Sequence, residues 1–183
     1  MTKTALVPIA QGVEEIEAVC IIDVLRRAEI TVTVASVDTL TVTASRGVSI
    51  NADVLLSDVI DQEFDLIALP GGMGAAQAFR DCNILINKLR KQASSGKLYA
   101  AICASPELAL NTHGLIGKKR ATCHPGVAAG LAKNPAIKER VVTDGNLTTS
   151  RGPGTAIEFA LSLVAQLCEE NIATEIGKGM LIK

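Results

Sequence analysis

The chain has 183 residues, 48% of them apolar and 2% aromatic, with 18 basic and 19 acidic side chains and a formal net charge of -1. That length suits one compact domain, 1–183, and the Ala, Val, Ile and Leu content suits helices packed closely on a sheet. With no basic field for phosphates, no tryptophan and one tyrosine, the composition excludes nucleic acid as the primary ligand.

The first ten residues carry one lysine and a short apolar run before Gln11 and Gly12. They fit neither a signal peptide nor a membrane span, so the expectation is a cytoplasmic protein with no membrane contact. Thr4 to Ile9 reads as a strand, about Glu14 to Ala28 as a helix and Thr31 to Ser36 as a strand, a βαβ opening. Thr41 to Asp53 reads as two short strands around Arg46 and Gly47, an edge ribbon outside the main sheet. The alternation resumes with a strand at Asp65 to Leu69, a turn at Gly71 and Gly72, helical stretches to about Ser94 and a strand at Leu98 to Ile102. A helix near Pro106 to Asn111, a strand-like Ala121 and Thr122 and a helical Val127 to Lys133 follow. The run Val141 to Ser150 turns at Gly145 and Asn146; Thr155 to Cys168 and Glu169 to Ile176 complete the chain as helices. The pattern predicts an α/β fold: a doubly wound, mainly parallel sheet with helices on both faces and ligands at the carboxyl ends of the strands.

Five scattered cysteines with no C-x-x-C, and two histidines at no zinc-like spacing, predict free thiols and no structural metal. Cys103 stands apart because it follows the apolar strand and precedes Ala104-Ser105-Pro106, where proline suits a first helical turn. A strand-to-helix elbow holds such a side chain at the mouth of the sheet, where the positive end of the next helix favours a thiolate. Position alone leaves two equal readings, a nucleophile or one more small buried hydrophobe. Cys20, Cys82 and Cys168 lie in helical patterns or at a helix boundary and read as packing residues.

Glu17 falls at the centre of the apolar stripe of Val13, Ile21, Val24 and Ala28, so its carboxyl faces the core. Burial raises its pKa, and a protonated Glu17 is able to donate a hydrogen bond to a Cys103 thiolate and so lower the thiol's pKa. Glu14 and Glu15 read as favourable charges in the first helical turn. Pro70-Gly71-Gly72 lets the backbone approach a ligand, and the Gly72 and Ala104 N–H groups are candidates for an oxyanion hole. No phosphate-binding glycine motif is present. His124 is equally a proton-transfer group and a local backbone cap; His113 reads as a helix-end residue beside Gly114.

Gly12-Val13-Glu14-Glu15-Ile16-Glu17, Leu69-Pro70-Gly71-Gly72, Ala100-Ala101-Ile102-Cys103-Ala104, His124-Pro125 and Thr149-Ser150-Arg151-Gly152-Pro153-Gly154-Thr155 occur in order. Together they resemble the signature of the ThiJ/PfpI superfamily, in the branch of the Parkinsonism-associated deglycase, from Ala5 to Lys183. The resemblance implies a flavodoxin-like domain, a homodimer and a cysteine readily oxidised to sulfinic acid, matched by Cys103. It also implies a protonated glutamate at Glu17, oxyanion-hole amides at Gly72 and Ala104, a nearby histidine at His124, and pocket arginines at Arg27 and Arg46 near the dimer interface. Ser105 departs from the glycine of close eukaryotic relatives, and Asn51 stands where they carry a peripheral cysteine. The proteolytic branch has a histidine directly after the cysteine; Ala104 stands there here, which disfavours protease activity.

The implied chemistry is cofactor-free glyoxalase and deglycase action on a small dicarbonyl or an early glycation adduct, through a Cys103 hemithioacetal. The alternative class is a redox-sensing or chaperone-like stress protein whose Cys103 reports peroxide. A role in thiamine-precursor metabolism, on a thiazole monophosphate, is the third reading; no feature of the sequence supports a thiazole or phosphate site. A patch of Ile16, Val19 and Ile22 on the first helix is read either as a dimer contact or as a second buried face.

Overall fold

Alternation of strand-forming and helix-forming segments places three strands at the centre of the molecule. The computed structural model describes residues 2–182. In it β1 (Thr4–Ile9), β6 (Leu66–Leu69) and β7 (Leu98–Ile102) lie side by side. Their residues from Ala5 to Ile9, Leu66 to Leu69 and Tyr99 to Ile102 are buried. Such near-continuous apolar runs are what a parallel sheet covered on both faces requires.

The seven strands run in the order β5-β2-β1-β6-β7-β9-β8, with β2 at Thr31–Ser36, β5 at Val54–Leu55, β8 at Val141–Asp144 and β9 at Leu147–Ser150. All neighbours are parallel except β8 and β9, which form an antiparallel hairpin. From β1 the chain steps outward through α1 (Glu15–Arg27) to β2 and β5, and then crosses to β6 on the other side of β1. The order therefore reverses between β1 and β6, where neighbouring loops diverge and a crevice opens at the strand carboxyl ends. Right-handed crossovers running in opposite directions put their helices on opposite faces. Accordingly α1 packs with α4 (Ala156–Leu167) and α5 (Glu170–Gly179) packs on α4. On the other side α2 (Met73–Asp81) meets the Pro106–Leu110 turn, and α3 (Asn83–Ser94) lies on β7.

The ribbon of β3 (Thr41–Thr43) and β4 (Ser49–Asn51) forms its own two-stranded sheet, as its sequence predicts. Three local expectations fail. Ala121 and Thr122 are not a strand: the Thr122 N–H donates to the Thr149 hydroxyl, while the far edge of β9 is already paired with β8. Val127 to Lys133 is not a helix but a series of turns after a single 3₁₀ turn at Pro125–Val127. Only eight residues separate Pro125 from Asn134-Pro135, Gly126 and Gly130 are among them, and a helix so short is marginal. Finally, the segment after Cys103 is a five-residue π-helical turn, Pro106–Leu110, followed by a 3₁₀ turn at Asn111–His113. It lacks the aligned length of a regular helix dipole, so individual N–H groups at the elbow matter more than the helix behind it. No helix among the described residues is long and apolar enough to cross a membrane.

Candidate active site

The loops after β1, β6 and β7 meet at the crevice, and each contributes one part of a site. Cys103 follows β7 directly with a left-handed backbone, φ 65°, a conformation that costs a non-glycine residue about 1 kcal/mol or more. Neighbouring chain holds it there: the Cys103 N–H donates to Ser150 O at 3.0 Å, and Cys103 O accepts from the His124 N–H at 2.8 Å. Continuing the β7–β9 register through Ile102 and Ser150, these bonds turn the thiol out of the sheet and into a cavity of about 580 Å³. The cavity wall includes Gly72, Ala104, Arg46, His124, Glu14 and Pro153.

The loop after β6 supplies backbone. Gly72 adopts φ 89°, and a Cβ there would lie 2.2 Å from Gly12 O, so only glycine fits. A Cβ on Gly71 would lie 2.6 Å from Cys103 Cβ and 2.7 Å from Glu17 Oε2. The chain thus passes between nucleophile and carboxyl at a distance no side chain permits. Ser105, buried beside Cys103, donates from Oγ to Pro70 O at 2.6 Å and ties the elbow to this turn.

Glu17 lies behind the cysteine, fully buried on α1. Its Oε2 accepts from the Gly71 N–H at 2.7 Å, while Oε1 is buried without a hydrogen-bond partner of good geometry. Burial pushes its carboxyl up to about 7; the Gly71 amide and Cys103 oppose that shift, and Glu14 adds to it. The free Oε1 and the raised pKa agree with a carboxyl that keeps its proton near neutrality.

The direction in which Glu17 moves the thiol depends on its own proton: the expectation concerned a protonated Glu17, and an ionised Glu17 acts the other way. Burial pushes the Cys103 thiol up to about 12, the Glu17 charge and its hydrogen bond push the same way, and the Gly72 and Ala104 amides pull down. The two groups disfavour a doubly charged state and titrate as a pair that retains one proton. In the thiolate form of the pair Glu17 holds that proton, and the Gly72 and Ala104 amides favour the charged sulfur.

His124 is exposed at the cavity rim. Its Nδ1 accepts from the Gly126 N–H at 3.1 Å, so the neutral ring carries its hydrogen on Nε2. Arg46 comes from the tip of the β3–β4 ribbon. Arg27 is not brought to the cavity by this chain. It pairs with Asp23 at the far end of α1, ten residues and roughly 15 Å of helix from Glu17.

Glu14 and Glu15 do more than complement a helix terminus. Glu14 caps α1, its Oε2 accepting from the Glu17 N–H at 2.8 Å, and lines the cavity. Glu15 is turned inward, 8% exposed, onto the ribbon. The Glu14 cap is local to the helix start, whereas sequence periodicity does not reveal the role of Glu15, because its partners Ser45 and Arg46 lie on a loop distant in the chain. All five cysteines are free, and among the described residues no cluster of three His, Cys, Asp or Glu has the makings of a metal centre. A larger groove of about 1040 Å³ opens between α4 and α5, but it holds no cysteine or histidine.

Comparison with known proteins places the sequence and the fold in a family. The model of the DJ-1/PfpI family matches residues 3–166. Protein DJ-1 homolog B of Arabidopsis thaliana is 49% identical over 182 residues, covering 99% of this chain and 42% of that protein; the chain thus spans less than half of that relative's length. The Caenorhabditis elegans protein named glutathione-independent glyoxalase DJR-1.2 is 38% identical over 168 residues, covering 90% of this chain and 89% of that one. The crystal structure of Drosophila melanogaster DJ-1beta superposes with a TM-score of 0.95 at 43% identity, covering 100% of both chains. Family match, near-complete superposition and the ordered motifs around Cys103 converge: the chain belongs to the DJ-1/PfpI family, among the DJ-1 homologues.

Proposed function

We propose that the protein is a cofactor-free glyoxalase of deglycase type, converting small α-oxoaldehydes such as methylglyoxal to hydroxy acids through covalent attachment to Cys103. The observation that carries this reading is the elbow: a cysteine at φ 65° facing a cavity whose wall includes Gly72 and Ala104, with a buried carboxyl behind it that accepts from the Gly71 N–H. The relative named as a glutathione-independent glyoxalase supports it.

In this mechanism the Cys103 thiolate attacks the aldehyde carbon. The S–C bond forms, the carbonyl π pair moves to oxygen near the Gly72 and Ala104 amides, and the Glu17 proton neutralises that oxygen. Glu17, now a carboxylate, removes the hydrogen of the former aldehyde carbon. The electrons move toward the adjacent ketone, whose oxygen takes a hydrogen bond from His124 Nε2. Reprotonation at the second carbon, with transfer of the hydroxyl proton from the first oxygen to the second, leaves a lactoyl thioester, and water releases lactate and the thiol. Oxidation of one carbon is balanced by reduction of its neighbour, so no external oxidant enters. With an early glycation adduct the C–N bond of the carbinolamine breaks, the amine leaves with a proton and the Cys103 sulfur bonds to the same carbon, giving the same hemithioacetal; removal of free dicarbonyl produces the same apparent deglycation.

A second copy of the chain is the partner we propose. Ile16 and Val19, 54% and 52% exposed on α1, form an apolar face that packing within this chain leaves open. Arg27 would then approach a cavity only across such an interface.

Lactate formation from methylglyoxal in a non-amine buffer without added thiol tests the reaction. Wild type turns over, and Cys103→Ala and Glu17→Ala fall by at least about a hundredfold. Full turnover by Cys103→Ala ends the proposal. An inactive wild type that forms the Cys103 sulfinate readily supports the redox-sensor reading instead.

A further inference from the structure

Glu15 is a buried acidic residue whose helix position does not account for its contacts. A carboxylate is costly to bury unless its oxygens are occupied, and both oxygens of Glu15 reach out of the helix. Oε2 accepts from Ser45 Oγ and Oε1 from the Arg46 backbone N–H, each at 2.8 Å. Burial works to raise its pKa, but hydrogen bonds from backbone groups and Ser45 outweigh burial and hold the carboxyl below its ordinary value. Glu15 is therefore an ionised acceptor, the state that makes the stronger bonds.

Those bonds end on the tip of the β3–β4 ribbon. Each ribbon strand has three residues and lies outside the main sheet, and a two-stranded ribbon so short does not hold its own position. Contacts with the β1–α1 loop place it: the Gly12 N–H donates to Thr43 O, the Ser45 N–H to Val13 O and the Thr43 N–H to Gln11 Oε1. Glu15 is the side chain that grips the tip itself. From that tip Arg46 reaches the cavity wall, the single lysine or arginine among the described residues lining it. Its Nη1 donates to Ser45 O at 3.2 Å, which keeps the guanidinium close to the tip.

We propose that Glu15 is a positioning residue that fixes the ribbon tip so that Arg46 presents its charge to the Cys103 cavity, and that the site thereby favours aldehydes carrying an anionic group, such as a carboxylate-bearing α-oxoaldehyde. The substrate class rests on the glyoxalase reading; the positioning role does not. A fixed cation at a cavity mouth raises the local concentration of anions, and a mobile one does so less.

The test is the ratio of Cys103 alkylation rates by iodoacetate, an anion, and iodoacetamide, its neutral analogue, read by mass on the Cys103 peptide of the full chain. Dividing the two rates removes any change in the thiol itself. Arg46→Ala and Glu15→Ala each lower the ratio by about threefold, the scale of one exposed charge. Glu15→Gln, whose amide oxygen still accepts from the Arg46 N–H, keeps the ratio at or above wild type. The sign is decisive, because loss of a nearby negative charge alone would raise the ratio in Glu15→Ala. An unchanged or raised ratio there overturns the proposal, as does an unchanged ratio in Arg46→Ala. If Glu15→Ala does not fold, Ser45→Ala removes one of the two bonds and must lower the ratio; no fall overturns the proposal equally. Failure to make lactate with the alkylation pattern intact would remove the glyoxalase reading and leave the positioning role standing.

Discussion

Glu17 and Cys103 hold one proton between two groups that burial penalises when both are charged. Gly71 makes the arrangement possible, since any side chain there would displace the cysteine or the carboxyl. The raised Glu17 pKa has a stability consequence whose sign is opposite to that of a salt-bridged acid. Between its ordinary 4.5 and about 7 the folded state binds a proton that the unfolded state has released, so stability falls as pH rises through that window and levels off above it. The size is about 3 kcal/mol, by the usual conversion of a pKa difference. Glu17→Gln, neutral throughout, therefore flattens this slope and is more stable than wild type above pH 7, as denaturant unfolding at several pH values will show. The same variant loses the charge that opposes thiolate formation, so Cys103 becomes more acidic while turnover is lost. A Glu17→Gln protein that keeps the wild-type stability slope would mean that Glu17 is not the group that titrates.

At the scale of elements, the site is three loops held by cross-connections. Ser105 links two of them, and Ser105→Gly would leave Pro70 O without its buried partner at a cost of about 1–2 kcal/mol. Because Pro70 precedes Gly71, whose amide donates to Glu17, and Gly72 in the cavity wall, the variant is expected to lose about tenfold in kcat with little change in KM. Steady-state kinetics with methylglyoxal checks this; unchanged kcat would show that the turn is rigid without Ser105. The elbow was legible in the sequence because apolar strand, cysteine, small residues and proline are adjacent in the chain. Glu17 was legible because a carboxylate in an apolar helical stripe breaks the pattern. Glu15 was not, because its partners Ser45 and Arg46 are thirty residues away and its place in the first turn already has a sufficient explanation. The helix expected at Val127 to Lys133 failed for the converse reason. Local apolar spacing suggested it, but Gly130 instead gives its N–H to the Glu107 carboxylate at 3.0 Å.

For the whole molecule, the strand order decides where chemistry sits. Reversal between β1 and β6 brings Glu17, Gly72 and Cys103, which follow three strands adjacent in the sheet, to one edge of it. α1 serves twice, with Glu17 on its inward face and Ile16 and Val19 on its outward face. If the outward face joins two copies, Val19→Lys places like charges across the interface and shifts the sedimentation coefficient from dimer to monomer. A wild type that sediments as a monomer would contradict the dimer and leave Arg27 without a role at the cavity. The most direct test of the central claim is acid quenching of the wild type during turnover of methylglyoxal, followed by mass analysis of the intact protein and its peptides. The account predicts a transient acyl or hemithioacetal adduct confined to the Cys103 peptide and absent from Cys103→Ala; lactate formed without it, or an adduct on another residue, would contradict covalent catalysis at Cys103.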